Sequence, residues 1–184
     1  MNEWEEAGSR SVHLVLVGLP GAGKSTVGAR LATRLGVPFV DLDQEIERVA
    51  GCSVGEIFAR DGEGAFRALE RETTRRLAHA PSGVISPGGG WITQPDVVAL
   101  LRPPARIVHL QVSPATALAR MGNEVGLRPL LKGSDPLARL TLLAQERGAA
   151  YATADAVLDA ETLTLQELVS KAAALASSWG VGVG

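Results

Sequence analysis

The apolar positions of this chain follow two rhythms that alternate along its length. Short runs dense in β-branched residues, such as Val12-His-Leu-Val-Leu-Val17, read as strands buried on both faces. Longer stretches with apolar residues three or four apart, such as Val27, Leu31 and Leu35, read as amphipathic helices. Strands are predicted near 12–17, 38–41, 83–86, 106–112 and 155–158. Helices are predicted near 24–35, 43–50, 53–60, 64–79, 94–101, 114–121, 136–149 and 164–177. Several helix starts are marked. Ser113-Pro114 and Asp135-Pro136 each place a capping side chain before a proline at the first helical position, and Thr164-Leu-Gln-Glu167 has the form of a capping box. Strand and helix in alternation predict an α/β fold with helices layered on a largely parallel sheet. No repeat or long linker divides the chain, so residues 1–184 read as a single domain, with 1–10 a frayed N-terminal extension and 179–184 a flexible tail.

Where the first strand meets the first helix, Gly18-Leu-Pro-Gly-Ala-Gly-Lys24-Ser25-Thr26 fits G-x-x-x-x-G-K-[ST] without a gap. A glycine turn between strand and helix points backbone N–H groups at a helix N-terminus, where phosphate is stabilised. The stretch Gly21, Ala22, Gly23, Lys24, Ser25 and Thr26 is therefore the candidate nucleotide cradle. In that frame Lys24 reaches the β- and γ-phosphates and the Ser25 hydroxyl ligates Mg²⁺. The chain is expected to bind a nucleoside triphosphate.

A phosphate cradle does not name the acceptor. Asp41-Leu-Asp43 follows the apolar run Val37-Pro-Phe-Val40, and period-2 alternation places both carboxylates on one side of the strand end, beside the ligand crevice of a doubly wound sheet. Asp41 can hold Mg²⁺ through water; Asp43 can accept the proton of an attacking alcohol, or else simply cap the helix beginning at Gln44. Further on, Arg67, Glu70 and Thr74 share a helix face, so that Glu70 can fix the Arg67 guanidinium, whereas Arg71, Arg75 and Arg76 interleave with Glu72 as a solvated face. The turn Ser86-Pro87-Gly88-Gly89-Gly90 has three consecutive glycines, which cost conformational entropy and imply a close approach to their backbone. Arg147, four residues before Tyr151, reads on residues alone as a cation at a helix C-terminus. The segment 121–134 lacks any sustained period and carries Arg128 near its centre, as a lid closing over phosphates would.

Composition narrows the class. A net charge of −2 speaks against a general nucleic-acid or membrane-surface binder, and no apolar run is long enough to span a bilayer. The lone cysteine, Cys52, excludes a disulfide framework and points to a reducing, cytoplasmic setting. His79 and His109 stand apart from any metal-ligand cluster, so Mg²⁺ carried with the nucleotide is the metal implied.

Taken in order, GLPGAGKST, DLDQEIE, GEGAFRALE and SPGGG, followed by RPLL and ERGAAYATAD, resemble the shikimate kinase family over roughly residues 12–160. The resemblance implies a three-layer α/β/α P-loop kinase fold with a five-stranded parallel sheet and a mobile lid. It implies transfer of the γ-phosphoryl group of ATP to the 3-hydroxyl of shikimate, with Lys24, Asp43 and Arg128 catalytic. Asp43, Arg67, Gly88, Gly89, Gly90 and Arg147 would hold shikimate, Arg147 as the second arginine on its carboxylate. Arg120 and Arg128 would join the cradle in binding nucleotide, and Ser25 and Asp41 would serve Mg²⁺. A small anionic, hydroxyl-rich acid suits such a set, because guanidinium forks pair bidentately with carboxylates. Trp91, directly after the glycines, is bulky enough to press on the pocket. The implied partners are ATP and shikimate, with no nucleic acid or membrane, and a monomer is expected. The rival readings are another small-molecule P-loop kinase, such as a gluconate kinase, and a module that binds nucleotide or shikimate without turnover.

Overall fold

The computed structural model describes residues 11–122, 131 and 135–182. The N-terminal extension 1–10, Arg128 and most of the 121–134 segment therefore lie outside the described residues. Five strands, β1 (Leu14–Val17), β2 (Phe39–Asp41), β3 (Val84–Ser86), β4 (Arg106–Gln111) and β5 (Ala156–Asp159), form one parallel sheet in the order β2-β3-β1-β4-β5. Helices α1 (Lys24–Leu35), α2 (Leu42–Ala50), α3 (Val54–Leu77), α4 (Pro95–Leu101), α5 (Pro114–Met121), α6 (Pro136–Tyr151) and α7 (Leu165–Ser178) flank it. Leu14, Val15 and Leu16 of β1 are wholly buried, as the uninterrupted apolar run requires of a central strand. From β1 the chain crosses first to the β3–β2 side and later to β4 and β5. This reversal opens a crevice at the carboxyl ends of the strands.

Local chemistry explains most boundaries. Ser53 and Thr164 form reciprocal capping boxes with Glu56 and Glu167, and Ser113 and Asp135 cap the helices that begin on proline. The two helices expected at 53–60 and 64–79 are the limbs of α3, which changes direction at Gly62 (φ 81°, ψ 175°). That bend brings Phe58 and Phe66 from opposite limbs together, ring centroids 4.9 Å apart.

Two expectations need correction. Period-2 alternation does not carry through Asp41-Leu-Asp43: β2 ends at Asp41, whose side chain accepts from Gln44 N and caps α2, while Asp43 lies in the first helical turn. A capping carboxylate at the strand end stops the strand there. A short 3₁₀ turn, Trp91–Thr93, intervenes before α4. The tail is held as far as Gly182: Val181 is buried and donates its N–H to Ala176 O, and Gly182 N donates to Ser82 Oγ. Among the described residues no helix is long and apolar enough to cross a membrane.

Candidate active site

The glycine turn after β1 delivers α1 with its N-terminus facing the crevice. Gly23 caps α1 in the left-handed region (φ 89°), a conformation that L side chains rarely adopt. Lys24 Nζ folds back over the loop, donating to the carbonyls of Gly18 (3.0 Å) and Leu19 (3.1 Å). Ser25 Oγ donates to Asp41 Oδ2 at 2.7 Å, so the hydroxyl at the start of α1 and the carboxylate ending β2 meet across the floor. Both are hard oxygen donors, the set that Mg²⁺ prefers.

A cleft of about 670 Å³ runs over this floor, lined by Gly21 through Thr26, Asp41, Asp43, Gly88, Gly89 and Arg120. Arg120, in the last turn of α5, donates from Nη2 to Ala160 O (2.7 Å) and stands at the wall to which Leu163, Leu165 and Leu168 contribute. A guanidinium with neighbouring aliphatic side chains offers a flat, part-apolar slot for a purine. A smaller pocket of about 100 Å³ adjoins the cleft through Pro20, Asp43, Gly88 and Gly89. It is lined by Arg67 and Arg147, with an apolar wall of Val54, Phe58, Phe66 and Leu131.

The three glycines after β3 account for how these side chains fit. A Cβ on Gly88 would lie 2.9 Å from Asp43 Oδ1, one on Gly90 2.7 Å from Arg67 Nη2, and one on Gly89 would collide with Arg147 Nη1. Each glycine thus admits one polar side chain from a different helix: α2, α6 and α3. The entropic cost read from the sequence has its physical cause here.

The two arginines differ in support. Arg67 Nη1 donates to Glu70 Oε2 (2.8 Å), and its Nε and Nη2 donate to Glu63 Oε1 (3.2 and 3.0 Å). Burial works against the Arg67 charge, but the bonds and charges of Glu70 and then Glu63 outweigh it and hold its pKa above the ordinary arginine value. Glu70 is fully buried and also accepts from Gln94 Nε2 at 2.6 Å. Arg147 is 5% exposed and lies within α6 rather than at a solvated helix end, so the helix-terminus reading fails. Its buried Nη1 has no hydrogen-bond partner. A buried guanidinium nitrogen without an acceptor is costly, and an anion entering the pocket would satisfy it.

Other side chains fall away from the pocket. Trp91 is core: it is 1% exposed and its Nε1 donates to Thr74 Oγ1 at 3.1 Å, which corrects the expectation that it presses on the substrate. Arg71 pairs with Asp96 and Arg75 with Glu72 on the surface, as the solvated-face reading holds. The sequence reading passed over Gln94 and the apolar wall. Val54 and Phe58 sit four apart on one helix face, a pattern indistinguishable from ordinary core.

The shikimate kinase family profile matches residues 20–176. A shikimate kinase from Thermobifida fusca is 50% identical over 133 residues, 72% of this chain and 76% of that protein. One from Caulobacter vibrioides is 46% identical over 145 residues, 79% of this chain and 72% of that protein. The solved shikimate kinase from Acinetobacter baumannii in complex with shikimate superposes with a TM-score of 0.85 at 33% identity, covering 91% of this chain and 94% of that one. The five-stranded parallel sheet agrees with these likenesses: the chain belongs to the shikimate kinase family, and its activity is that of a shikimate kinase.

Proposed function

We propose that the large cleft holds ATP, that the small pocket holds shikimate, and that the γ-phosphoryl group passes between them above Asp43. The observation that carries this reading is the buried Arg147 Nη1 without a partner, beside Arg67 in a pocket continuous with the phosphate cradle. The shikimate carboxylate would pair with the Arg147 and Arg67 guanidinium groups, and backbone groups of Gly88, Gly89 and Gly90 would face its ring. Asp43 accepts a hydrogen bond from the 3-hydroxyl. As the new P–O bond forms and the bond to the β–γ bridging oxygen breaks, the hydroxyl proton passes to the Asp43 carboxylate and ADP leaves with the electron pair.

Gly21, Ala22, Gly23, Lys24, Ser25 and Thr26 cradle the phosphates, and Lys24 leaves the Gly18 and Leu19 carbonyls to meet them. Ser25 and Asp41 are the residues that would hold Mg²⁺, which neutralises charge on the phosphate oxygens when bound. Arg120 packs on adenine. Arg128, in the 121–134 lid, would meet the transferring group on closure, excluding water so that shikimate rather than solvent is phosphorylated. On this reading the enzyme acts in the cytoplasm as a monomeric single domain.

ADP release is to be measured from ATP and Mg²⁺ with shikimate, with gluconate and with no acceptor. Shikimate-dependent release with stoichiometric shikimate 3-phosphate is expected. Release with gluconate alone would overturn the two-arginine assignment, and no acceptor-dependent release would favour a module that binds without turnover.

A further inference from the structure

Arg67 and Arg147 reach the same pocket by opposite means. Arg67 is fixed by two protein carboxylates, Glu70 and Glu63, whereas among the described residues no carboxylate pairs with Arg147. What stands beside Arg147 is Tyr151, one turn further along α6, on the same helix face. The Tyr151 ring is buried and lies flat on the imidazole of His109, with centroids 4.4 Å apart and planes 13° from parallel. His109 is in β4, in register with Val17, the last residue of β1 before the phosphate cradle. The pair therefore joins the strand beside the cradle to the helix that carries the acid-binding arginine. Neither ring has a part in the assignments above.

We propose that His109 and Tyr151 are positioning residues, a stacked pair that holds the Arg147 guanidinium against Gly89 and so sets the affinity for the acid substrate. The inference rests on Arg147 being a carboxylate ligand. Its logic is charge economy. A carboxylate holding Arg147, as Glu70 holds Arg67, would neutralise the cation and compete with the substrate. The Tyr151 hydroxyl has no hydrogen-bond partner but lies near enough to feel the Arg147 charge, so the phenol confines the guanidinium by packing and leaves its charge free for the incoming anion. Burial keeps the Tyr151 hydroxyl above its ordinary pKa, although the charge of Arg147 beside it pulls the other way, so the ring stays neutral. Burial, then the positive charge of Lys24, lowers the pKa of His109, and the stack carries no cation to repel Lys24 or Arg147.

The test compares Tyr151→Phe, Tyr151→Leu, His109→Ala and His109→Phe, with Arg147→Ala as reference and thermal midpoints recorded for all. Losing the hydroxyl, and with it the dipole facing Arg147, should raise KM for shikimate about threefold, with kcat and KM for ATP within about twofold. Removing the stack with Tyr151→Leu or His109→Ala should raise it about tenfold or more, and His109→Phe should restore it to within about threefold of the parent. In the Arg147→Ala background, Tyr151→Phe should add nothing to the KM effect. If the stack variants lower the thermal midpoint but leave KM for shikimate unmoved, or if Tyr151→Phe and Arg147→Ala act additively, the pair is ordinary core and the proposal falls. An Arg147→Ala protein with unchanged KM would instead sink the carboxylate assignment itself. Should the Leu and Ala variants fail to fold, Tyr151→Phe and its combination with Arg147→Ala still decide.

Discussion

The Arg147 guanidinium fills the space that a side chain on Gly89 would need. The arginine comes from α6 and the glycine from the turn after β3, so two distant parts of the chain fit only because one lacks a Cβ. Gly89→Ala should displace Arg147 and lower kcat/KM for shikimate by roughly tenfold to a hundredfold, while ATP binding is retained. Gly64→Ala is the control. Its position in α3 has nothing within 4 Å of a new Cβ, and alanine there should leave kinetics unchanged and stabilise the fold by about 0.4–1 kcal/mol. Steady-state kinetics with thermal unfolding of both variants checks the pair; equal kinetics would show that Gly89 has no steric duty.

Asp43 sits where cleft and acid pocket join, with its carboxylate over Gly88. Asparagine keeps the shape and removes the proton acceptor. The Asp43→Asn enzyme should lose about 10²- to 10⁴-fold in kcat, with the Kd for ATP within about twofold. Calorimetric titration of ATP beside turnover separates the two effects. Near-parental turnover would strip Asp43 of its catalytic part.

The unequal support of the two arginines predicts unequal stability effects. Arg67→Ala leaves the fully buried Glu70 with Gln94 but without its counter-ion, and should destabilise by roughly 2–4 kcal/mol while raising KM for shikimate. Arg147→Ala removes a buried cation that has no carboxylate partner among the described residues. It should raise KM for shikimate at least about tenfold with unfolding free energy unchanged or increased. Urea unfolding of the two variants side by side is the measurement, and equal destabilisation would contradict the difference in pairing.

Much of this site is legible in the sequence because its chemistry is local. The cradle from Gly18 to Thr26 is a continuous motif between a strand and a helix, and Arg67 with Glu70 is a single helical turn. What could not be read is what long-range packing decides. Arg147 looks like a helix-end cation until α6 docks it beside Gly89, and only the fold shows that Gly88, Gly89 and Gly90 each make room for one side chain. Asp43 lines both cleft and pocket, but not through the strand alternation that the sequence suggests. Alternation along a strand and a first helical turn both leave a residue two positions on near the strand end, and the cap made by Asp41 selects the helix. Trp91 illustrates the converse: its bulk beside a substrate loop suggested contact, yet its indole N–H found Thr74 within the core.

His13 offers a pH effect separate from catalysis. It lies at the start of the central strand region, 2% exposed, and neither ring nitrogen has a hydrogen-bond partner in the geometry. Burial lowers its pKa, with the backbone near Leu77 and Gly83 opposing only in part. A histidine whose pKa is lower folded than unfolded binds fewer protons in the native state. Stability is therefore full above about pH 6.5, the ordinary histidine value, and is lost as pH falls through and below it towards the folded value. His109 acts in the same direction, through burial and the charge of Lys24, so the informative quantity is the difference between proteins. The loss of thermal midpoint between about pH 7.5 and about pH 5.5 should be smaller in His13→Leu than in the parent. At pH 7.5 the variant should be as stable or more so, since it replaces an unsatisfied polar ring with an apolar side chain. The carboxylates held low by capping serine and threonine, Glu56 and Glu167, titrate below this window and do not confound it. An unaltered pH dependence in His13→Leu would mean that the imidazole is solvated enough to charge without cost.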